Sequence, residues 1–179
     1  MTIGHSTLEM EAFLRALREN GCHTLVDVRR YPGSKRYPQF GQERLFDSLE
    51  GVGIRGVWRV GLGGRRVARK DSVNTGWRNE SFRGYADYMQ TPEFAAEIDW
   101  LMGLPELDRT VVMCAEAVPW RCHRSLIGDA VLARGGLVED IFVTPEGGSS
   151  RRLHGMTEFA RVEGERLWYP GVQEGRLFD

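Results

Sequence analysis

Apolar positions recur along this chain in two alternating rhythms, short strand-like runs and helical stripes, and their order predicts the fold. Residues 2–4 read as a short strand. Residues 8–19 follow as a helix with Phe13, Leu14 and Leu17 on its apolar stripe, a capping box at Ser6-Thr7-Leu8-Glu9 and a stop at Asn20-Gly21. The run 24–28 then reads as a buried strand that emerges at Asp27, Val28 and Arg29. Pro32-Gly33 and Pro38 make 30–39 a loop. A short helix over 43–49, a strand over 54–60 and a glycine-rich basic loop over 61–71 come next.

The second half repeats the alternation. Helices are expected over 82–89 and 92–102; in the latter Thr91 can cap, and Pro92 sits where a missing N–H costs nothing. Residues 110–114 read as a short apolar strand, 122–133 as a helix and 137–142 as a strand, with Gly135-Gly136 at the turn. Segments 159–162 and 166–169 flank Glu163-Gly164-Glu165 as a terminal hairpin on the sheet edge. Strands and helices in this order predict an α/β fold, a single three-layer domain with a mainly parallel sheet and a C-terminal antiparallel hairpin. Residues 1–179 are expected to form that one domain, with 143–179 as a C-terminal extension.

Composition narrows the class. With 179 residues, 41% of them hydrophobic, the chain can bury a full core. No apolar run approaches the roughly 20 residues that span a bilayer, and the N-terminus lacks the order of a signal peptide. A soluble cytoplasmic protein without a membrane partner is the expectation. Three cysteines, an odd number, argue against a disulfide framework.

The net charge of −1 conceals an uneven distribution. Residues 29–83 hold 13 basic and 5 acidic residues, a local balance of +8, against −9 for the remainder. The basic residues are 22 Arg and 2 Lys, a bias that suits bidentate contacts to oxyanions and that genome composition would also produce.

Ligands of open parallel sheets bind beyond the carboxyl ends of the strands. Three polar clusters fall there: His5-Ser6, Asp27 to Arg29, and Cys114 to Glu116. The last runs on into Arg121-Cys122-His123-Arg124-Ser125, where the next helix begins and its unpaired N–H groups favour an anion. Arg29, Arg121, Arg124 and Ser125 are therefore the expected anion-binding residues, and a phosphate-bearing small molecule or a nucleic acid the expected partner. Structural ion pairs with Asp27, Glu116 or Asp129 are the plain alternative for the arginines.

His5, Asp27, Cys114, Glu116 and His123 are the expected catalytic residues. Either histidine can transfer a proton. Asp27 or Glu116 can assist as a base or orient a partner. Cys114, at a strand end near a helix start and arginines, is placed to favour its thiolate. Each has a structural counterpart: a packed histidine beside Ile127, an ion pair, an inert core thiol. Cys122 shares the question, since Cys122, Leu126 and Ala130 form a helical stripe.

Cys114, Cys122, His123 and His5 offer sulfur and nitrogen, but no CxxC pair, HExxH helix or recurrent zinc spacing is present. No metal and no cofactor are assigned on that pattern. Gly61-Leu62-Gly63-Gly64 matches neither a dinucleotide fingerprint nor a P-loop, and Gly4-His5-Ser6 is not a nucleophile elbow.

These pieces, taken together, resemble the family known as domain of unknown function 488. The resemblance rests on Thr2-Ile3-Gly4-His5-Ser6, Leu25-Val26-Asp27-Val28-Arg29 with Pro32 and Ser34, and Leu62-Gly63-Gly64-Arg65. It continues through Tyr85-Ala86-Asp87-Tyr88-Met89 with Thr91 and Glu93-Phe94, then Met113-Cys114-Ala115-Glu116 with Pro119 and Cys122-His123-Arg124. It covers about 2–142 and implies a compact α/β domain; it implies no particular reaction. A second resemblance is to rhodanese-like sulfurtransferases and cysteine phosphatases, which join a strand-borne cysteine to an anion-holding loop. Those place five residues between Cys and Arg. Here six separate Cys114 from Arg121, and Glu116, Pro119 and Trp120 occupy the loop where small N–H donors are needed.

Three functional classes follow. The preferred one is an enzyme acting on a phosphate-bearing or nucleic-acid-related ligand in a strand-end anion crevice. A cysteine-dependent sulfurtransferase or phosphatase-like enzyme is the variant of that class which the second resemblance implies. The alternative class is a non-catalytic nucleic-acid-binding module, in which Arg65, Arg66, Arg69 and Lys70 contact phosphates and Trp58, Tyr31 or Trp77 stack on bases. The third is a protein-binding module whose arginines and tryptophans form an interface.

Overall fold

A computed structural model describes residues 1–33, 36–144 and 146–171 of the chain. Ser34, part of the family resemblance, and residues 172–179 lie outside the described residues. Five strands form a parallel sheet: β1 (Thr2–Gly4), β2 (Thr24–Asp27), β3 (Arg55–Trp58), β4 (Thr110–Cys114) and β5 (Glu139–Val143). β6 (Ser149–Leu153) pairs antiparallel with β5 and closes one edge, giving the order β3-β2-β4-β1-β5-β6. β7 (Arg161–Glu163) and β8 (Arg166–Trp168) pair with each other in a separate two-stranded sheet. The hairpin is thus present but does not extend the main sheet. The edge belongs to β6, whose largely exposed Ser149-Ser150-Arg151-Arg152-Leu153 lacks the apolar run that marks a strand in sequence.

The period-two alternation of the strands divides the core. Ile3, Leu25, Val111, Met113 and Ile141 face one side, where α1 (Met10–Glu19) and α2 (Gln42–Glu50) supply Phe13, Leu17, Leu45 and Leu49. Val26, Val112 and Cys114 face the other side. There α3 (Glu80–Tyr88), α4 (Pro92–Met102) and α5 (Arg124–Ala133) supply Tyr85, Phe94, Ile98, Leu126 and Ile127. The result is the expected three-layer arrangement of helices on both faces of a sheet.

Helix starts follow local chemistry, with two departures. The Thr91 hydroxyl accepts from the Phe94 N–H at 3.3 Å, and α4 spans the predicted residues. α1 instead starts at Met10 with no side-chain cap: Ser6 adopts a left-handed φ of 47°, so the capping box is spent on a turn. α5 starts at Arg124 because Pro119–Arg121 forms a 3-10 turn ahead of it, and Cys122 is extended.

Adjacent strands β1 and β4 send their chains to opposite sides, β1 toward β2 and β4 toward β5. Their carboxyl ends therefore define the switch point at which such sheets bind ligands.

Candidate functional site

At that point the residues after β4 pass directly over the end of β1. The His5 N–H donates to the Cys114 carbonyl at 3.1 Å and the Ser6 N–H to Ala115 at 2.8 Å. Gly4 makes the crossing possible: a Cβ there would lie 1.8 Å from the Glu116 carbonyl oxygen and 2.9 Å from Arg124 Nη1. Arg124, fully buried, pins the loop from below, donating to the Glu116 carbonyl at 2.5 Å and the Ala117 carbonyl at 2.9 Å. Its Nε has no partner among the described residues. The guanidinium is thus directed at backbone oxygens rather than at open solvent.

Above this floor lies a crevice of about 190 Å³ lined by Arg29, Arg30, Tyr31, Gly64, Arg65, Cys114, Glu116 and His123. Five expected site residues meet here: Arg29, Cys114, Glu116 and His123 of the enzyme reading, and Arg65 of the nucleic-acid reading. Arg29 is clamped before it arrives. Its Nε and Nη2 donate to the two Asp27 carboxylate oxygens at 2.9 and 2.6 Å, and its Nη1 donates to the Phe40 carbonyl at 2.7 Å. Asp27 is fully buried and satisfied by this fork, so it orients Arg29.

His5 lies behind Arg29, stacked on Phe40 at 4.2 Å. Its Nδ1 is 3.0 Å from the Ser6 carbonyl, which can only accept, so Nδ1 carries the hydrogen and Nε2 turns its lone pair toward Arg29 Nη1 at 3.4 Å. Burial, and then the Arg29 charge, push His5 down to about 4. It is neutral at physiological pH.

Arg30 and Arg65 form the outer wall. Both guanidinium groups flank the exposed Tyr31 ring, at 6.0 and 5.6 Å from its centroid, and Arg30 Nη1 donates to the Arg65 carbonyl at 3.1 Å. Neither has a carboxylate partner among the described residues. Arg65 itself has a φ of 58°, a turn conformation that brings Gly64 against His123. A Cβ on Gly64 would lie 2.7 Å from His123 Nδ1.

The crevice floor holds a cysteine pair. Ligand atoms of Cys114, Cys122 and His123 all lie within 4.8 Å of one another, and Cys122 Sγ is 3.7 Å from His123 Nδ1. The S–H of Cys114, then the imidazole and Arg124, hold Cys122 well below the usual thiol range despite burial, while the same hydrogen bond and burial raise Cys114. His123 packs against Tyr85 at 4.9 Å between ring centroids, and its Nε2 is buried without a partner among the described residues.

The remaining expected residues lie elsewhere. Arg121 is exposed and does not line the crevice. The Ser125 hydroxyl donates to the Cys122 carbonyl at 3.0 Å, and Ser125 faces a second cleft of about 400 Å³ with Trp120, Asp140 and His154. Of the expected nucleic-acid set, Arg65 lines the crevice and the others are dispersed. Arg66 donates to the Gly63 and Gly61 carbonyls and lies over Tyr88 at 3.6 Å. Arg69 pairs with Asp71, and Lys70 is exposed. Trp77 packs on Phe82, Trp58 donates to the Arg29 carbonyl, and only Tyr31 stands beside the crevice.

Sequence reasoning missed Arg30 and Gly64 as parts of this site, although Pro32-Gly33 and Gly63-Gly64 mark the two turns that bring them in. It also missed a buried cluster around His154. His154 Nδ1 lies 2.9 Å from Asp140 and Nε2 3.3 Å from Asp129. Thr2 donates to Asp140, and Tyr169 donates to Asp129 at 2.8 Å. Burial would lower His154, but the two carboxylates outweigh it and raise the imidazole to about 9.

The fold and site define a mainly parallel α/β protein with a cationic crevice built by the segments that follow β2, β3 and β4. The chain belongs to the family described as domain of unknown function DUF488, whose model matches residues 9–131. No curated protein matches the chain. The family span contains β2, β4, the cysteine pair and both arginine loops. Among the described residues, no helix is long and apolar enough to cross a membrane.

Proposed function

We propose that this chain is an enzyme that takes a phosphate-bearing ligand into the crevice formed by the segments that follow β2, β3 and β4. The observation that carries this is the convergence of Arg29, Arg30 and Arg65 on one 190 Å³ opening with Cys114, Glu116 and His123 at its base. Arg29 arrives as a neutral pair with Asp27, so the attractive charge comes from Arg30 and Arg65. Two guanidinium groups without carboxylate partners are suited to a dianionic phosphate, which each can contact through charge-assisted bonds. Tyr31 between them offers a face to a base or sugar.

In this scheme Arg124 acts through the loop it pins, and His5 and Asp27 act through Arg29. Arg121, Ser125, Arg66, Arg69 and Lys70 lie outside the ligand. The groups that reach the opening from its base are Cys114, Glu116 and His123. Three free cysteines fit a reducing, cytoplasmic compartment.

Calorimetric titration with inorganic phosphate and with a nucleoside monophosphate tests the proposal. The expected result is 1:1 binding weakened at least tenfold in an Arg30→Ala/Arg65→Ala variant, with turnover of a phosphoester panel lost in the same variant. Equal binding by the variant, or none by the wild-type chain, rejects the crevice as an anion site. Binding without turnover of any phosphoester would leave a binding module instead of an enzyme.

A further inference from the structure

The most concentrated chemistry in the molecule lies beneath this crevice. Cys114 ends β4, Cys122 follows the 3-10 turn, and His123 precedes α5, so eight residues of chain return two sulfurs and a ring nitrogen to one point. We propose that Cys114 Sγ, Cys122 Sγ and His123 Nδ1 bind a single thiophilic divalent cation, zinc, with its open coordination position facing the arginine-lined crevice.

The spacing matches the chemistry. On one tetrahedral zinc, with bonds of about 2.3 Å to sulfur and 2.0–2.1 Å to nitrogen, a sulfur and a nitrogen are roughly 3.6 Å apart. Cys122 Sγ and His123 Nδ1 are 3.7 Å apart, and all three ligand atoms fall within 4.8 Å. Two thiolates and an imidazole form a soft donor set that favours zinc over magnesium or calcium.

The surroundings fix the ligands without blocking the fourth position. Gly64 and Tyr85 clamp the imidazole by packing, and the absent Cβ of Gly64 is what leaves room for Nδ1 beside Cys122 Sγ. Cys122 is enclosed, 3% exposed, while Cys114 and His123 both border the opening. A cation held there has protein on one side and the crevice on the other. Three protein ligands with one open position is the pattern of catalytic rather than structural zinc.

Glu116 borders the same opening and can occupy that position at rest. A phosphate held by Arg30 and Arg65 would present an oxygen to it. The cation itself depends only on the Cys114, Cys122 and His123 ligands, whereas its use as a Lewis acid rests on the anion proposal above. Charge is consistent with either state: two thiolates neutralise a divalent cation, leaving the buried Arg124 to its carbonyl oxygens. The thiol protons leave to solvent as the metal enters.

Cobalt(II) added to metal-free, reduced full-length protein is the test. The expected spectrum has thiolate-to-cobalt charge transfer from two sulfurs, with ligand-field bands of tetrahedral coordination, saturating at one equivalent and displaced by zinc. Cys22→Ser leaves it intact. Cys114→Ser and Cys122→Ser each remove one thiolate's intensity and weaken zinc at least tenfold in chelator competition, as does His123→Gln. Wild-type intensity alone counts the thiolates, so a variant that fails to fold does not decide the matter. Absence of charge transfer in folded wild-type protein overturns the proposal. So does a spectrum that survives loss of Cys114 and Cys122, or conversion of the pair to a disulfide without metal uptake.

The Arg30→Ala/Arg65→Ala variant separates the two proposals. Retained cobalt with lost phosphate binding supports both. Lost phosphate binding in the wild type with cobalt retained rejects only the anion site, and the reverse rejects only the metal.

Discussion

Single residues in this molecule divide sharply between those that meet the crevice and those that build it. Its position at a helix start makes Arg124 an expected anion ligand, yet its guanidinium is fully buried and donates to two loop carbonyls. Arg124→Met is expected to lower stability by about 3 kcal/mol, because two buried acceptors lose their donors. The urea midpoint at unchanged slope measures this. An unchanged midpoint with lost phosphate binding would instead make Arg124 a ligand residue. The sequence shows the arginine but not the direction of its side chain. Asp27 and Arg29 were more legible, since two such groups at a strand end are close enough to pair whatever the rest of the fold does.

At the scale of elements, the strands and helices with strong apolar periodicity were readable, and β6 was not. Thr110–Cys114 is buried throughout and has the continuous apolar run of an interior strand. Ser149–Leu153 is polar and exposed, and becomes a strand because β5 offers an open edge. What holds this end of the chain is His154, just beyond β6, which bridges Asp140 on β5 to Asp129 on α5.

That bridge predicts a pH dependence. An imidazole raised from 6.5 in the unfolded chain to about 9 when folded binds an extra proton in the native state between those values. Its contribution is complete below 6.5 and is lost as pH rises through 9. Discounted for partial solvent screening, it amounts to about 2 kcal/mol. Thermal unfolding followed from pH 6 to 10 should show this decline, and His154→Gln should flatten it while starting from lower stability. A wild-type curve as flat as the variant's would remove the bridge.

For the molecule as a whole, the segment beyond the family span is integral to the core. The Tyr169 ring is fully buried, its hydroxyl donates to Asp129 and its N–H to Asn74, which in turn donates to Asp87. Tyr169→Phe is expected to lose about 1–2 kcal/mol, since the buried Asp129 oxygen loses its donor. Denaturant unfolding should remain a single transition monitored by fluorescence and circular dichroism. A separate early transition would mean that residues 143–171 fold independently of the sheet.

Periodicity and turn residues by themselves determined the α/β class, the order of strands and helices, and the gathering of chemistry at strand ends. These are local properties: a strand's alternation, a threonine cap before a proline, a glycine pair at a turn act within a few residues. Only the tertiary structure decided which polar groups face solvent. It turned Arg124 inward, set His5 behind Arg29, and brought Arg30, Arg65 and Gly64 to the cysteines across a gap of dozens of residues. No spacing rule contains that last step, because Gly64 and His123 are brought together through Tyr85 of α3, whose hydroxyl donates to the Leu62 carbonyl and whose ring packs on His123.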